Sequence, residues 1–492
     1  MFRWLSTIFV LVFIVQSSLM GQTILFNEYF ENATMRVDYY HVGNAYEEFI
    51  TLDHIYKQGI WAGSQKNLLD TFNNGRYYVK VYDEKSGRLI FSKGFNTYFG
   101  EYKTSDPALA GIKRTYHESA LIPYPTQKIR FTIEKRNRQN ELEPLFSLTI
   151  DPEDISIIKE NLDTDVSVFE IVKNGPADQK VDLAFIAEGY TVEEKEKFES
   201  DLKKFSKVFF NQEPFKSYQE SFNIYGVFKP SEESGCDEPR HGSFKNTVIS
   251  TTFNSLGSAR YLLTEDNKNL RDIAAHVPYD ALIIMINHQR YGGGGIYNQF
   301  CTFTTDNRWS EYLLLHEFGH SFAGLADEYY TSSVAYSDFY PSGVEPTEPN
   351  ITALLNPPHV KWEKFLTTGI EIPTPWNKEK FDKMDLAYQK KRRELNDLIA
   401  TLKKEHASEE KIKQAEEKAA RLSKEHAQKM DNFLKNSKYA GKVGVFEGAG
   451  YTSKGLYRPM LDCIMFSKGT KPYCKVCENA IINIIKYYTG VD

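Results

Sequence analysis

Residues 316–328 read HEFGHSFAGLADE, and whether this is ordinary core helix or a metal-binding helix decides how the rest of the chain is read. In an α-helix, residues four apart lie on one face, about one turn apart. His316 and His320 therefore present two imidazoles to one point, as a zinc ion requires. Glu317 projects beside them, close enough to act on a water at the metal without being a ligand. The competing reading is a plain amphipathic helix whose histidines find hydrogen-bond partners in the core. Against it stand the apolar EYLLL that precedes the motif, the glycine that ends it and the acids that follow.

A catalytic zinc needs a third protein ligand and one open position. A straight helix would carry Asp327 about 10 Å along the axis from His320, out of reach. Gly324 resolves this, because glycine readily ends a helix in a left-handed turn and lets the chain double back. The spacing favours Asp327 as third ligand, with Glu328 as the alternative, and leaves the other carboxylate to orient a histidine from behind.

The surrounding chain is that of an ordinary globular protein. Its 492 residues suffice for two to four domains, and a net charge of −6 gives no signal for nucleic acid or an anionic membrane. The first residues, MFRWLSTIFVLVFIVQSSLMGQ, order a basic start, a short apolar run and a small-residue exit. That order predicts a signal peptide over 1–21, since the apolar run falls short of the roughly 20 residues that span a bilayer. The mature protein is therefore expected to be secreted, periplasmic or held at the cell surface, with no integral membrane segment after signal cleavage.

Five cysteines suit such a compartment: Cys236, Cys301, Cys463, Cys474 and Cys477. The last two form a CxxC, with Cys463 upstream. Three cysteines without a nearby histidine make a poor structural zinc site, so a local disulfide is the expectation, with its pairing open.

Alternating stretches such as KIRFTIE (128–134) and LFSLTI (145–150), with a hairpin turn at EKSG, predict an N-terminal β-sandwich over 22–155. From about residue 175 the pattern changes to buried strands alternating with helices, as in VDLAFIAEGY (181–190) and DALIIMIN (280–287). Thr191 and Glu194 form a capping box ahead of a helix with Phe198, Leu202, Phe205 and Phe209 on one side. IYNQFCTFT (296–304) reads as one further strand before the histidine helix. Residues 376–436 contain no Gly or Pro and carry apolar stripes at helical spacing, predicting a helical-hairpin insertion that breaks near His406–Glu410.

HEFGHSFAGLADEY, together with FEGAGYTSKGLYRPMLDCIM (446–465), resembles the bacterial zinc endopeptidases named after the clostridial IgA protease. The likeness covers roughly residues 180–490, and the N-terminal β-region resembles the domain preceding the peptidase in many members. That family is similar to metzincins, whose metal helix ends in a Gly and which keep a Met in a tight turn beneath the zinc; Met465 is the matching position. In metzincins the motif runs HExxHxxGxxH; here the Gly falls one residue later and an acid replaces the final His. The resemblance implies an α+β multidomain protein: an N-terminal β-sandwich, then a metzincin-like α/β zinc peptidase domain over 175–490 carrying the 376–436 insertion. It implies a secreted zinc-dependent endopeptidase acting on protein or peptide substrates, host glycoproteins such as IgA among them. His316, His320 and Asp327 would hold the metal, with Glu317 as general base. Phe466 follows Met465, where metzincins often place an oxyanion-binding Tyr, so Tyr451, Tyr457 or Arg458 are the candidates for that task, each also readable as a packing or rim residue. The stretch Gly293–Phe303 reads either as an edge strand for substrate pairing or as a loop before a structural strand. Two other functions fit the motif less well: a binding or adhesion protein with a structural or vestigial zinc site, and a zinc amidase acting on cell-wall amides.

Overall fold

The computed structural model describes residues 24–331, 339–357 and 359–491. The expected signal peptide, residues 1–21, lies outside them.

The N-terminal part is built from eight strands: β1 (Phe30–Gly43), β2 (Glu48–Gln58), β3 (Tyr77–Asp83), β4 (Leu89–Phe95), β5 (Arg114–Pro125), β6 (Ile129–Arg136), β7 (Leu142–Ile150) and β8 (Ile158–Lys159). They form two four-stranded sheets, ordered β5-β1-β2-β8 and β4-β3-β6-β7. Successive side chains on a strand point to opposite faces. The register pairs Val79 with Ile133 and Val81 with Phe131, which stacks their apolar side chains on one face. Those residues share a single core with Met35, Val37 and Tyr39 of β1, so the two sheets bury a common interior.

The second part is organised by a six-stranded sheet of β9 (Ser167–Val172), β10 (Val181–Glu188), β11 (Phe222–Phe228), β12 (Ala281–Ile286), β13 (Gly293–Ile296) and β14 (Phe300–Thr304), ordered β13-β14-β12-β10-β11-β9. The four inner strands are parallel and the two outer ones antiparallel to them. Leu183 and Phe185 of β10 enter one core, whereas Ala184 and Ile186 enter the other. Both faces are therefore covered, which is why β10, β11 and β12 read as continuous apolar runs. Helix α1 (Lys195–Asn211) starts from the Thr191–Glu194 capping box and buries Phe198, Leu202, Phe205 and Phe209 on one of these faces. Truncating any one of the Phe residues should cost about 3–5 kcal/mol. The opposite face packs against Tyr98, Phe99 and Tyr116 of the N-terminal part.

The stretch expected to be one strand at 296–304 is two. Asn298 adopts a left-handed backbone (φ 56°), a conformation Asn tolerates, and turns the chain between β13 and β14. This makes β13 the edge of the sheet. Helix α2 (Ser310–Ala323), which carries the two histidines, packs on β13 and β14.

The 376–436 stretch forms a helical hairpin of α3 (Lys378–Lys404) and α4 (Glu409–Lys435). The seam includes Tyr388 stacked on His426, with ring centroids 3.8 Å apart. Its base, through Phe381, Met430 and Leu434, joins the core around α2. Leu395 of α3 is buried, whereas Leu398, expected on the same packed stripe, is exposed.

Candidate metal centre

Helix α2 ends where the sequence requires it. Gly324 sits at φ 59° and its N–H bonds the carbonyl of His320 at 3.1 Å; the N–H of Leu325 bonds that of Gly319 at 3.2 Å. The chain then runs back beneath the helix rather than onward. Asn350 clamps the returning segment: its side chain accepts from the Ala326 N–H (2.8 Å) and donates to the Ala326 carbonyl (2.9 Å).

This return brings three groups together. Asp327 Oδ1 lies 3.0 Å from His316 Nε2 and 3.2 Å from His320 Nε2, and the two Nε2 atoms are 3.2 Å apart. Zinc–nitrogen bonds of about 2.0 Å at tetrahedral angles would separate ligand atoms by about 3.3 Å. The protonation pattern follows from the far side of each ring. His316 Nδ1 faces the carbonyl of Ile464 at 3.0 Å, and His320 Nδ1 faces that of Leu325 at 2.6 Å. A carbonyl only accepts, so each Nδ1 carries a proton and leaves Nε2 as the nitrogen that can turn a lone pair to a metal. Asp327 Oδ1 is buried and has no hydrogen-bond partner. Three ligand atoms thus converge at metal-ligand spacing, and the residues fit a divalent metal.

Asp327's other oxygen accepts from the Tyr451 hydroxyl at 2.7 Å. Burial would raise the Asp327 carboxyl, but His320 and His316 outweigh it and hold its pKa well below the usual carboxylate range. The same proximity, against the pull of burial, lifts metal-free His320 to about 9. The Glu317 carboxylate lies within 4.8 Å of the ring nitrogens of both histidines. Burial raises its pKa above the ordinary value, although both histidines oppose this.

The site is framed by β13 on one side. A Cβ at Gly295 would stand 2.5 Å from the Glu317 carbonyl and 2.9 Å from His320 Cβ, so only glycine lets the edge strand lie this close to α2. Met465 lies on the other side, with Sδ close to Gly319 and its carbonyl accepting from the Glu328 N–H at 2.9 Å. The cleft holds about 90 Å³ and is lined by Arg260, Tyr291, Tyr329 and Tyr340 besides the histidines and Glu317.

Of the residues singled out from the sequence, His316, Glu317, His320 and Asp327 share this site, and Glu328 does not. One position along an extended segment reverses the side chain, and Glu328 points to Cys474 and Cys477. Nor does it orient a histidine: carbonyls do that. The expected local disulfide is absent, since Cys463, Cys474 and Cys477 are all thiols. Tyr451 is turned to Asp327, Tyr457 is bonded through its backbone to Thr352, and Arg458 is buried among carbonyls. Sequence reasoning missed Arg260, whose guanidinium donates to the Tyr329 hydroxyl at 2.9 Å, and Asn350. Neither stands near the motif. A usable signal lay in FEGAGY (446–451), where Gly448 and Gly450 adopt positive φ and Gly450 N–H bonds the Asp327 carbonyl at 2.9 Å.

An HExxH helix with a carboxylate folded beneath it is an arrangement that metallopeptidases use. The family model described as IgA Peptidase M64 matches residues 169–485, and that of the Peptidase M64 N-terminus matches residues 25–147. The chain belongs to the IgA peptidase M64 family of metallopeptidases. No curated protein matches it.

Proposed function

We propose that this protein is a secreted zinc-dependent endopeptidase in which His316, His320 and Asp327 hold the metal and Glu317 is the general base. The observation that carries this reading is the convergence of three ligand atoms, 3.0–3.2 Å apart, whose residues' remaining polar atoms are committed elsewhere. When bound, zinc acts as a Lewis acid and lowers the pKa of a water to about 7. Glu317 takes the proton from the attacking water and hands it to the leaving amine. Its raised pKa suits both halves of that exchange. Tyr451 holds the Asp327 carboxylate in one rotamer. The edge strand β13 is bridged to Tyr261 and Leu262 at Gly293, and beyond that point it offers an edge along which an extended peptide can lie, with Gly295 letting the strand come close to Glu317. The fold supports a metzincin-like arrangement, with Met465 beneath the helix.

Export rests on residues 1–21, and no described helix is long and apolar enough to cross a membrane. The family supports a protein substrate, and host glycoproteins such as IgA belong to the proposal. The test is digestion of a mixed-protein panel that includes IgA, with chelator and with zinc restored. Cleavage should stop with chelator, return with zinc and be absent from Glu317→Gln. Cleavage by Glu317→Gln at the unaltered rate would overturn the mechanism. N-terminal sequencing of the protein recovered outside the cytoplasm should begin near residue 22.

A further inference from the structure

Behind the Asp327 side of the centre lies a second group of potential ligands that the proposed reaction does not use. Cys463, Cys474, Cys477 and Glu328 are each at most 3% exposed, and their ligand atoms all lie within 4.8 Å of one another. Cys463 Sγ and Cys477 Sγ are 3.9 Å apart, too far for a disulfide bond of about 2.05 Å. That spacing is close to the ~3.8 Å edge of a tetrahedron with zinc–sulfur bonds of about 2.3 Å. Glu328 Oε1 stands 3.2 Å from Cys477 Sγ and 3.9 Å from Cys474 Sγ, bracketing the ~3.5 Å expected between a sulfur and a carboxylate oxygen on one zinc ion.

Two further observations point to an ion rather than a thiol cluster. Glu328 Oε1 accepts from the Asn350 amide at 3.1 Å, but Oε2 is fully buried with no hydrogen-bond partner, a costly state for a carboxylate. The backbone is also arranged to support negative sulfur. Cys463 Sγ accepts from the N–H groups of Cys474 (3.2 Å) and Met465 (3.4 Å), and Cys474 Sγ accepts from that of Cys477 (3.5 Å). Cys474 caps the N-terminus of helix α5 (Lys475–Thr489), where the helix dipole favours an anion. Three thiolates and a carboxylate around a divalent ion leave a net charge of −2. Buried Arg458, whose charge acts on Glu328, offsets part of it.

We propose that Cys463, Cys474, Cys477 and Glu328 form a closed structural zinc site, separate from the catalytic one. Each thiol releases its proton to water as the metal binds, and no position remains open for substrate. Its location gives it a task. Glu328 follows Asp327 directly, and Cys463 precedes Met465 by two residues, so one ion would pin both the segment carrying the third catalytic ligand and the turn beneath the histidine helix. The Glu328 N–H bond to the Met465 carbonyl already joins those two segments.

This inference does not depend on the protein being a peptidase, and its test reads metal rather than activity. Wild-type protein should contain two zinc ions per chain, and His316→Ala/His320→Ala should keep one. Cobalt-loaded wild-type protein should show a sulfur-to-cobalt charge-transfer band, which the histidine and Asp327 ligands cannot produce. That measurement also decides the matter if substituted proteins fail to fold. Glu328→Gln should weaken the retention of one zinc while leaving all five cysteines as titratable thiols after denaturation in chelator. A cobalt spectrum without the sulfur band would overturn the proposal. So would a Cys474–Cys477 or Cys463–Cys477 disulfide in the mass spectrum of non-reduced protein.

Discussion

Two of the buried histidine–carboxylate groups in this molecule do opposite things. In the N-terminal part, His41 places Nδ1 3.0 Å from Glu118 and Nε2 3.1 Å from Glu48, while its ring stacks on Phe99. Each ring nitrogen faces a carboxylate. Burial alone would lower the pKa of His41, but Glu118 and Glu48 outweigh it and raise it, which favours the imidazolium. The carboxylates are satisfied in turn: Tyr77 and Lys103 donate to Glu48, and the Phe99 N–H donates to Glu118. Around His316 and His320 each Nδ1 is spent on a backbone carbonyl, and the two Nε2 atoms face each other and Asp327 Oδ1. Proximity of histidine to carboxylate is thus no mark of a metal site. What marks it is the convergence of several ligand atoms on one point, each residue being held from its far side.

The largest effect that would test this contrast is at Glu317. Glu317→Gln should lower kcat by about 10²–10⁴-fold, the usual contribution of a general base, with zinc content unchanged by metal analysis. Zinc loss in that variant would mean Glu317 is a ligand and the two groups differ less than argued. On the N-terminal side, Glu118→Ala should destabilise the protein by about 3–5 kcal/mol in denaturant titration, because it strands a buried imidazolium, yet leave metal content intact. The pH profile of that region sharpens the point. The His41 pKa is raised, so its contribution is fully present below its unfolded value of 6.5 and is lost as pH rises through the folded value. The Glu48 pKa is lowered, so its contribution is present above 4.5 and is lost as pH falls. The stability difference between wild type and His41→Phe should therefore be widest between those values and shrink on either side.

Smaller effects come from the supports of the metal centre. Tyr451→Phe should cost about 10–100-fold in zinc affinity or activity, as loss of a partner behind a ligand commonly does. Metal affinity should also rise with pH by up to about tenfold per unit below pH 9, because binding must expel the proton that Asp327 holds on metal-free His320. A pH-independent affinity across that range would show that His320 is already neutral without metal.

Much of this was legible because the signals are local. The four-residue spacing of His316 and His320 needs only helix geometry, and the reversal at Gly324 needs only the backbone freedom of glycine. The alternation in β3 and β6 and the apolar runs of β10 and β12 announce one-sided and two-sided burial in the same way. Other features had no local signal. Asn350, Ile464 and Tyr451 act on the site from 24 to 148 residues away in sequence from the groups they hold. The turn at Asn298 was hidden inside an apolar run that reads equally well as one strand. The cysteines were read as disulfide material because no fourth donor stood near them in the chain.

The sequence by itself determined the donor set of the histidine helix, the point at which that helix stops and the two kinds of sheet, all of which follow from periodicity and backbone preference over a few residues. Only the tertiary structure decided that Asp327 and not Glu328 faces the imidazoles, that carbonyls fix both tautomers, and that Glu328 completes a group with three thiols. The physical reason is that adjacent side chains on an extended segment point in opposite directions. Which of the two meets the histidines is set by distant segments packing against the chain, not by the residues themselves.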